Sequence, residues 1–513
     1  TISSTVKNTS DNMPYLTPIR STIHGNIGGA VVFSQFSIRW TYSQLFEKCD
    51  EFAAGLLALG LYKGDRVGIW SPNRPEWIIA QIATARLGII LVNINPAYKQ
   101  LELEYCINKV DLKCLIFATQ FKTSSYAEMI KALCPELTTQ RVGNLKLKRL
   151  PSLRSLVQVS SEPMSGAYSF QEVAARGTEG YRDRLNAISS CLKPDEPINI
   201  QFTSGTTGSP KGATLTHKNI INNAIFLSKT MKLNQADRLC IPVPLYHCFG
   251  MVMGTLACSS VGATMVFPSE GFDADTTVAV LRAENCTAVH GVPTMFSAML
   301  ESQEFKGKKI KSLRTGIMAG SQCPKPLMRR VLMDFACPQI TIAYGMTETS
   351  PVSFQSDVDD PVNVRVSTVG RIQPHCEVKI VGEEGQTLPI GETGELLVKG
   401  YLVMKGYWED DEANSRTIKN GWLKSGDLAT IDSKGFCRIV GRKKDMVIRG
   451  GENIYPAELE DFLTGKTGIL EAHVFGIPDP KFGERLVTWV IREKGSLITA
   501  EEIQELCRKE LAY

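Results

Sequence analysis

Residues 66–94 read RVGIWSPNRPEWIIAQIATARLGIILVNI, and this stretch decides the fold class. Arg66–Trp70 is an apolar run of strand length, Glu76–Leu87 has the length and content of a helix, and Ile89–Ile94 is a second buried strand. Strand, helix and strand in that order make a β-α-β unit. Repeated, such units build α/β folds on mostly parallel sheets.

The same grammar recurs on either side. Downstream come a strand at Thr264–Phe267, a helix from Thr276, a strand at Ala288–His290 and a helix from Pro293. Upstream, Leu45, Cys49, Phe52, Leu56 and Leu59 recur at helical spacing and Gly60 supplies a stop. Residues 1–35 show no period and are rich in Thr, Ser, Asn and Pro, which predicts an arm. After Gly370 the character changes. Val378–Val381, Gly394–Lys399 and Phe436–Val440 read as short strands between Gly-rich turns, a small β-rich subdomain. Gly441–Asp445 is a charged break and the expected hinge. Beyond it lie a helix (Pro456–Leu463), strands (His473–Ile477 and Val487–Arg492) and a helix (Ala500–Leu511). The expectation is an α/β protein with an arm (1–35) and a large domain of stacked α/β sheets with a β-rich subdomain (36–441). A small, mobile, incomplete α+β domain follows (442–513).

Composition narrows the function. Across 513 residues, 43% are hydrophobic and 21% charged, an ordinary globular balance, and the net charge of +4 is mild. It suits anionic small molecules and gives no reason to expect nucleic acid. Fourteen cysteines form no C-x-x-C pair and six histidines form no H-x-H or H-x-x-x-H pair. That argues for reduced thiols and against a zinc or other transition-metal site. Leu239–Ser269 carries no formal charge, but Pro242, Pro244, His247, Gly250, Gly254 and Gly262 interrupt it. It reads as a buried helix, a turn and a buried strand, not a transmembrane span. The start at Thr1 leads us to expect a targeting segment removed ahead of it.

Three motifs carry chemistry. The first, Thr203-Ser204-Gly205-Thr206-Thr207-Gly208-Ser209-Pro210-Lys211-Gly212, follows the predicted strand Ile198–Phe202 and precedes a helix expected near Lys218. Hydroxyls and backbone N–H groups of such a loop can wrap a polyphosphate, with Lys211 as countercharge; without G-K-[ST] it is not a Walker A loop. In the second, Tyr344-Gly345-Met346-Thr347-Glu348-Thr349, Tyr344 offers an aromatic face to a base and Thr347 a hydroxyl to a phosphate. Glu348 offers a hard carboxylate to Mg²⁺. In the third, Ser425-Gly426-Asp427, the carboxylate can accept from both hydroxyls of a ribose. His247, alone among apolar residues, is by itself more often structural than catalytic.

Together with Gly441–Glu460 (GRKKDMVIRGGENIYPAELE), these motifs stand in the order found in the adenylate-forming superfamily. The chain resembles that superfamily of acyl-CoA synthetases, luciferases and peptide-synthetase adenylation domains from about Thr41 onward. Arg449–Glu460 most resembles the mitochondrial medium-chain fatty acyl-CoA synthetases. The resemblance implies that Ala319, Gly320 and Ser321 line an adenine pocket and that Arg442 is a second ribose contact. It further implies that Lys444 is the hinge residue and that His247 walls the acyl pocket. Gly450 and Gly451 would let the backbone approach the thin pantetheine arm of coenzyme A. The implied catalytic set is Lys211, Thr347, Glu348 and His247, Glu348 being the metal ligand. ATP, Mg²⁺ and CoA are the implied cofactor and co-substrates, a medium-chain fatty acid the substrate, and the mitochondrial matrix the compartment. Self-association into a homo-oligomer is left open.

The family's adenylation lysine sits in a segment like P-x-T-x-x-G-K, and residues 465–513 contain none. The expectation is a chain cut short before it, or a protein that lacks it. A non-catalytic nucleotide-binding relative would fit that absence, whereas intact Lys211, Glu348, Asp427 and Arg442 argue against one. An amino-acid adenylating enzyme would want an acid in the pocket to pair the ammonium group, and Leu239–Ser269 offers none. Aryl-acid adenylation and luciferase-like chemistry share the first step.

Overall fold

The computed structural model of the chain describes residues 6–7, 29–203, 210–449, 452–479 and 483–510. Residues 66–94 form strand Arg66–Trp70, helix Pro75–Leu87 and strand Ile90–Ile94, with the two strands parallel neighbours. Trp77, Ile78, Ala80, Ala83 and Leu87 of the helix are fully buried. A helix apolar on every side belongs inside a large body, not on its surface.

The pair lies within an eight-stranded sheet. Its order is Ala167–Ser169, Ser155–Val159, Cys114–Ala118, Arg66–Trp70, Ile90–Ile94, Pro197–Thr203, Lys211–Thr216, Gly406–Tyr407. A nine-stranded sheet follows the order Arg371–Ile372, Val352–Gln355, Gln339–Gly345, Thr315–Met318, Ala288–Gly291, Arg238–Cys240, Thr264–Phe267, Val31–Phe33, Ile38–Trp40. From Gln339–Gly345 to Val31–Phe33 every neighbour in that sheet is parallel.

Alternate residues of each strand enter different cores, because successive side chains leave a strand on opposite faces. Cys114 and Ile116 join the largest core, while Leu115 and Phe117 pack outward with Ile107 and Ile130. In the second sheet Met265 and Ile317 join that same largest core, while Val266 and Met318 pack on Val278, Phe296 and Met328. One layer of helices, including Tyr42–Ala58 and Pro75–Leu87, is therefore shared between two sheets that both carry helices outside.

Two boundaries move. Val31–Phe33, placed by the sequence reading in the arm, is a buried strand of the nine-stranded sheet, parallel to Thr264–Phe267. Val6–Lys7 pairs with the β-rich subdomain at Glu377 and Val378. The uncharged stretch opens with strand Arg238–Cys240, which the sequence reading did not separate. It continues as Cys248–Gly250, a π-helical Met251–Leu256 and Ala257–Val261, turns at Gly262 and ends in strand Thr264–Phe267. No helix among the described residues is long and apolar enough to cross a membrane.

The β-rich subdomain is a six-stranded sheet containing Cys376–Val381, Gly394–Gly400 and Trp422–Ile431, with Cys437–Arg442 paired to the last. A turn at Lys443–Asp445 leads to a separate four-stranded sheet of Glu452–Ile454, Val447–Arg449, Gly483–Arg492 and Ile469–Asp479. Helix Pro456–Thr464 covers it through Leu459 and Leu463. Gln322 Nε2 donates to Asp461 Oδ1 at 2.7 Å, tying that helix to the large body.

Candidate active site

The phosphate-type loop is a hairpin connection, which corrects the expected strand–loop–helix. Strand Pro197–Thr203 is followed by antiparallel Lys211–Thr216, with Thr203 opposite Lys211 and Phe202 opposite Gly212. Ala213 and Leu215 alternate into the core, which is why this run extends before the helix can start. Thr216 then caps helix His217–Thr230 reciprocally with Asn219. Ser204, Gly205, Thr206, Thr207, Gly208 and Ser209 lie outside the described residues. The feet of the loop are held on either side. The Thr203 hydroxyl donates to the Lys211 carbonyl at 3.4 Å, and the Tyr105 hydroxyl to the Pro210 carbonyl at 3.0 Å. The Lys211 ammonium stands 5.3 Å from the centroid of the Tyr407 ring.

Thr347 and Glu348 form a short turn after strand Gln339–Gly345 and are 8% and 7% exposed. The Tyr407 hydroxyl donates to Glu348 Oε1 at 2.8 Å, and the Met404 N–H donates to the Glu348 carbonyl at 2.9 Å. Among the described residues Glu348 forms no ion pair. A buried carboxylate without a cation is costly, and this one sits beside Thr347 and, through Tyr407, beside Lys211. One hard carboxylate next to a hydroxyl fits Mg²⁺, which keeps waters and takes its other oxygens from phosphates.

Asp427 and Arg442, fifteen positions apart in sequence, are opposite each other across two antiparallel strands. Arg442 Nε approaches Asp427 Oδ1 at 3.0 Å, and the Tyr344 hydroxyl donates to Asp427 Oδ2. Burial raises the Asp427 carboxyl's pKa, against the opposing pull of Tyr344 and Arg442. Burial, reinforced by Asp427, carries the Tyr344 phenol well above its ordinary value, so it stays a proton donor. Strands Thr315–Met318 and Gln339–Gly345 are parallel neighbours, so Ala319-Gly320-Ser321 and Tyr344-Gly345 leave the same sheet at adjacent carboxyl ends. Ligands of parallel α/β sheets bind at that edge. Gly320, Ser321 and Gly345 are exposed there. Lys444 is exposed in the Lys443–Asp445 turn, and Lys443 pairs with Glu395 at 3.2 Å. Gly450 and Gly451 lie outside the described residues.

The uncharged wall is organised from below. His247 has accessible surface, yet enough protein surrounds its ring for desolvation to lower its pKa. Its imidazole, shifted towards the neutral form, lies edge-on to Tyr246 at 6.1 Å between centroids. Beneath it runs a buried amide ladder that sequence reading missed. Asn93 Nδ2 donates to the Tyr246 carbonyl at 2.9 Å, Asn199 Nδ2 to Asn93 Oδ1 at 2.9 Å, and Gln201 Nε2 to Asn199 Oδ1 at 3.0 Å. The Cys248 thiol closes it on Gln201 Oε1 at 3.2 Å. Asn73 grips the wall's first turn, accepting from the Leu245 N–H at 2.7 Å and donating to the Val243 carbonyl at 3.0 Å. The signal was present as amides inside otherwise apolar strands. Deeper still, His290 bonds the Met253 carbonyl at 2.9 Å, and burial lowers its pKa to about 4.

The chain is similar to known proteins along most of its length. The model of the AMP-binding enzyme family matches residues 27–408, and that of the AMP-binding enzyme C-terminal domain matches residues 458–513. YngI of Bacillus subtilis, provisionally named an acyl-CoA synthetase, is 44% identical over 94% of this chain and 88% of its own length. A mitochondrial medium-chain acyl-CoA ligase of Danio rerio is 43% identical over 94% of this chain and 80% of its own. Among solved structures, ATP-bound MatB from Rhodopseudomonas palustris superposes with a TM-score of 0.81 at 26% identity, covering 96% of this chain and 91% of that one.

Proposed function

Because the chain belongs to the AMP-binding enzyme family, we propose that it joins medium-chain fatty acids to coenzyme A in two ATP-driven steps. The reaction class is that of an ATP-dependent acid–CoA ligase. A carboxylate oxygen attacks the α-phosphorus of ATP, the α–β phosphoanhydride bond breaks, and pyrophosphate leaves. The CoA sulfur then attacks the acyl carbon of the mixed anhydride, its proton passes to solvent, and AMP leaves with the C–O bond electrons.

The observation that carries this reading is the convergence of Lys211, Tyr407 and Glu348 on one side and of Asp427, Arg442 and Tyr344 on the other. Lys211 and the loop from Thr203 neutralise the phosphates through ammonium and N–H donors. Glu348 and the Thr347 hydroxyl would hold Mg²⁺, which when bound offsets phosphate charge. Asp427 and Arg442 hold the ribose, and Tyr344, Gly320 and Ser321 receive the base. His247, in the uncharged wall, orients the fatty acid and takes no proton, because a carboxylate is already ionised at neutral pH. Residues 442–513 act as a separate domain that turns about Lys444 and brings Gly450 and Gly451 to the CoA thiol. Mitochondrial residence is proposed from the Danio rerio relative's name, and immunolocalisation of the natural protein checks it.

The test supplies ATP, Mg²⁺, CoA and acids from acetate to palmitate, and follows acyl-CoA, AMP and pyrophosphate together. Equal amounts of the three, largest with acids of intermediate length, are expected. A best substrate bearing an α-amino group, or nucleotide binding with no acyl transfer to any acid, overturns the proposal.

A further inference from the structure

Tyr407 belongs to none of the sequence motifs, yet it touches two of them. Its hydroxyl donates to Glu348 Oε1 at 2.8 Å and the face of its ring receives the Lys211 ammonium at 5.3 Å. We propose that Tyr407 is a positioning residue that holds the metal carboxylate and the phosphate lysine in one fixed relation. The proposal rests on the reading of Glu348 as the Mg²⁺ ligand.

The surrounding backbone is built for this. The two-residue strand Gly406–Tyr407 pairs with the second strand of the phosphate hairpin, Tyr407 opposite Ala213 and Gly406 opposite Thr214. The Trp408 N–H donates to the Gly212 carbonyl at 2.8 Å, and the Lys405 N–H to the Thr214 carbonyl at 2.9 Å. At the other end the Met404 N–H binds the Glu348 carbonyl, so residues 404–408 staple the hairpin to the Thr347–Glu348 turn. Asn414 clamps Tyr407 itself. Its Oδ1 accepts from the Tyr407 N–H at 2.6 Å and its Nδ2 donates to the Tyr407 carbonyl at 3.0 Å. Gly406 has φ +144°, and a Cβ there would meet Asn414 Oδ1 at 2.9 Å. The clamp needs glycine at that position. A carboxylate this buried has few ways to stay in one rotamer, and a single well-aligned hydroxyl supplies one.

Tyr407→Phe keeps the ring beside Lys211 and removes only the hydroxyl. Calorimetry with Mn²⁺-ATP should show about tenfold weaker binding, the size expected when a hydrogen bond to a charged group is lost. AMP and ATP in excess chelator should bind as before. Tyr407→Leu should weaken metal-free ATP as well, because the face beside Lys211 goes too. Pairing Tyr407→Phe with Glu348→Gln separates this proposal from the reading beneath it. If both residues act through one carboxylate, the double variant binds Mn²⁺-ATP no more weakly than Glu348→Gln alone. Additive losses, or wild-type Mn²⁺-ATP affinity in Tyr407→Phe, overturn the positioning role. A Glu348→Gln variant with unchanged metal dependence overturns the metal assignment instead. Should Tyr407→Phe melt well below wild type, Asn414→Ala is measured in its place. It frees the Tyr407 backbone and leaves the site's groups intact. A smaller loss confined to Mn²⁺-ATP is expected, and unchanged affinity overturns the proposal.

Discussion

The nucleotide corner and the acyl wall are built on opposite principles. In the corner each ionised group has a designated neighbour: Tyr407 stands on Glu348 and Lys211, while Tyr344 and Arg442 stand on Asp427. In the wall no residue from Leu239 to Ser269 is charged; its polar side chains are hydroxyls, thiols and one imidazole, and the amides that brace it come from neighbouring strands. On the proposed reading, a co-substrate common to every turnover is recognised by paired charges. On the same reading, an interchangeable apolar tail is recognised by the removal of charge. The amide ladder reconciles the two, since its satisfied hydrogen bonds fix the wall's shape without presenting a charge.

The comparison breaks most sharply at Glu348. Glu348→Gln should slow acyl-AMP formation by ~10²–10³, the usual consequence of losing preorganised electrostatics at a charge-developing centre. Single-turnover formation of acyl-AMP measures it, and a change under threefold would place the metal elsewhere.

Acid attacks the other region. His290, fully buried against the wall's Met253 carbonyl, has its pKa lowered to about 4, against 6.5 when exposed. Below pH 6.5 the unfolded chain takes up that proton first, so stability present above 6.5 is lost as pH falls towards 4. The loss from this one group approaches ~3 kcal/mol. Denaturant melts across that window should be steeper in wild type than in His290→Gln, which cannot titrate. Parallel curves would show that the wall tolerates charge.

Asp427→Ala should weaken ATP and AMP alike by ~1–3 kcal/mol, a charged hydrogen-bond loss, with acid affinity unaltered. Calorimetry on both nucleotides decides, and a loss confined to ATP would move Asp427 from the ribose to the phosphates. The smallest effect sharpens the wall. Each added methylene of a straight-chain acid should gain up to ~0.8 kcal/mol until the proposed acyl pocket is filled. A series that stays flat from acetate upward would mean the tail never enters it.

How much was legible in sequence follows from range. The β-α-β units and the long helices were readable because periodicity is local, as in Glu76–Leu87. Val31–Phe33 was not, because three apolar residues carry no period and gain strand identity only beside Thr264–Phe267. The hairpin at Lys211–Thr216 was hidden by the helix that follows immediately. Asp427 and Arg442 were both singled out, one as a diol acceptor and one by resemblance, but their direct pairing needed the register of two strands. Tyr407 lay beyond reach, since nothing in its own neighbourhood refers to Glu348, a partner 59 positions away.

The loop between Thr203 and Lys211 hangs from two residues fixed opposite each other on paired strands. Closing a connection across a fixed gap carries an entropy that grows only with the logarithm of its length, ~0.6 kcal/mol per doubling. The scaffold is therefore nearly indifferent to how many residues span residues 204–210. On the proposed reading of Lys211, the length of that loop is set by the anion it wraps, since closure entropy alone does not dictate it.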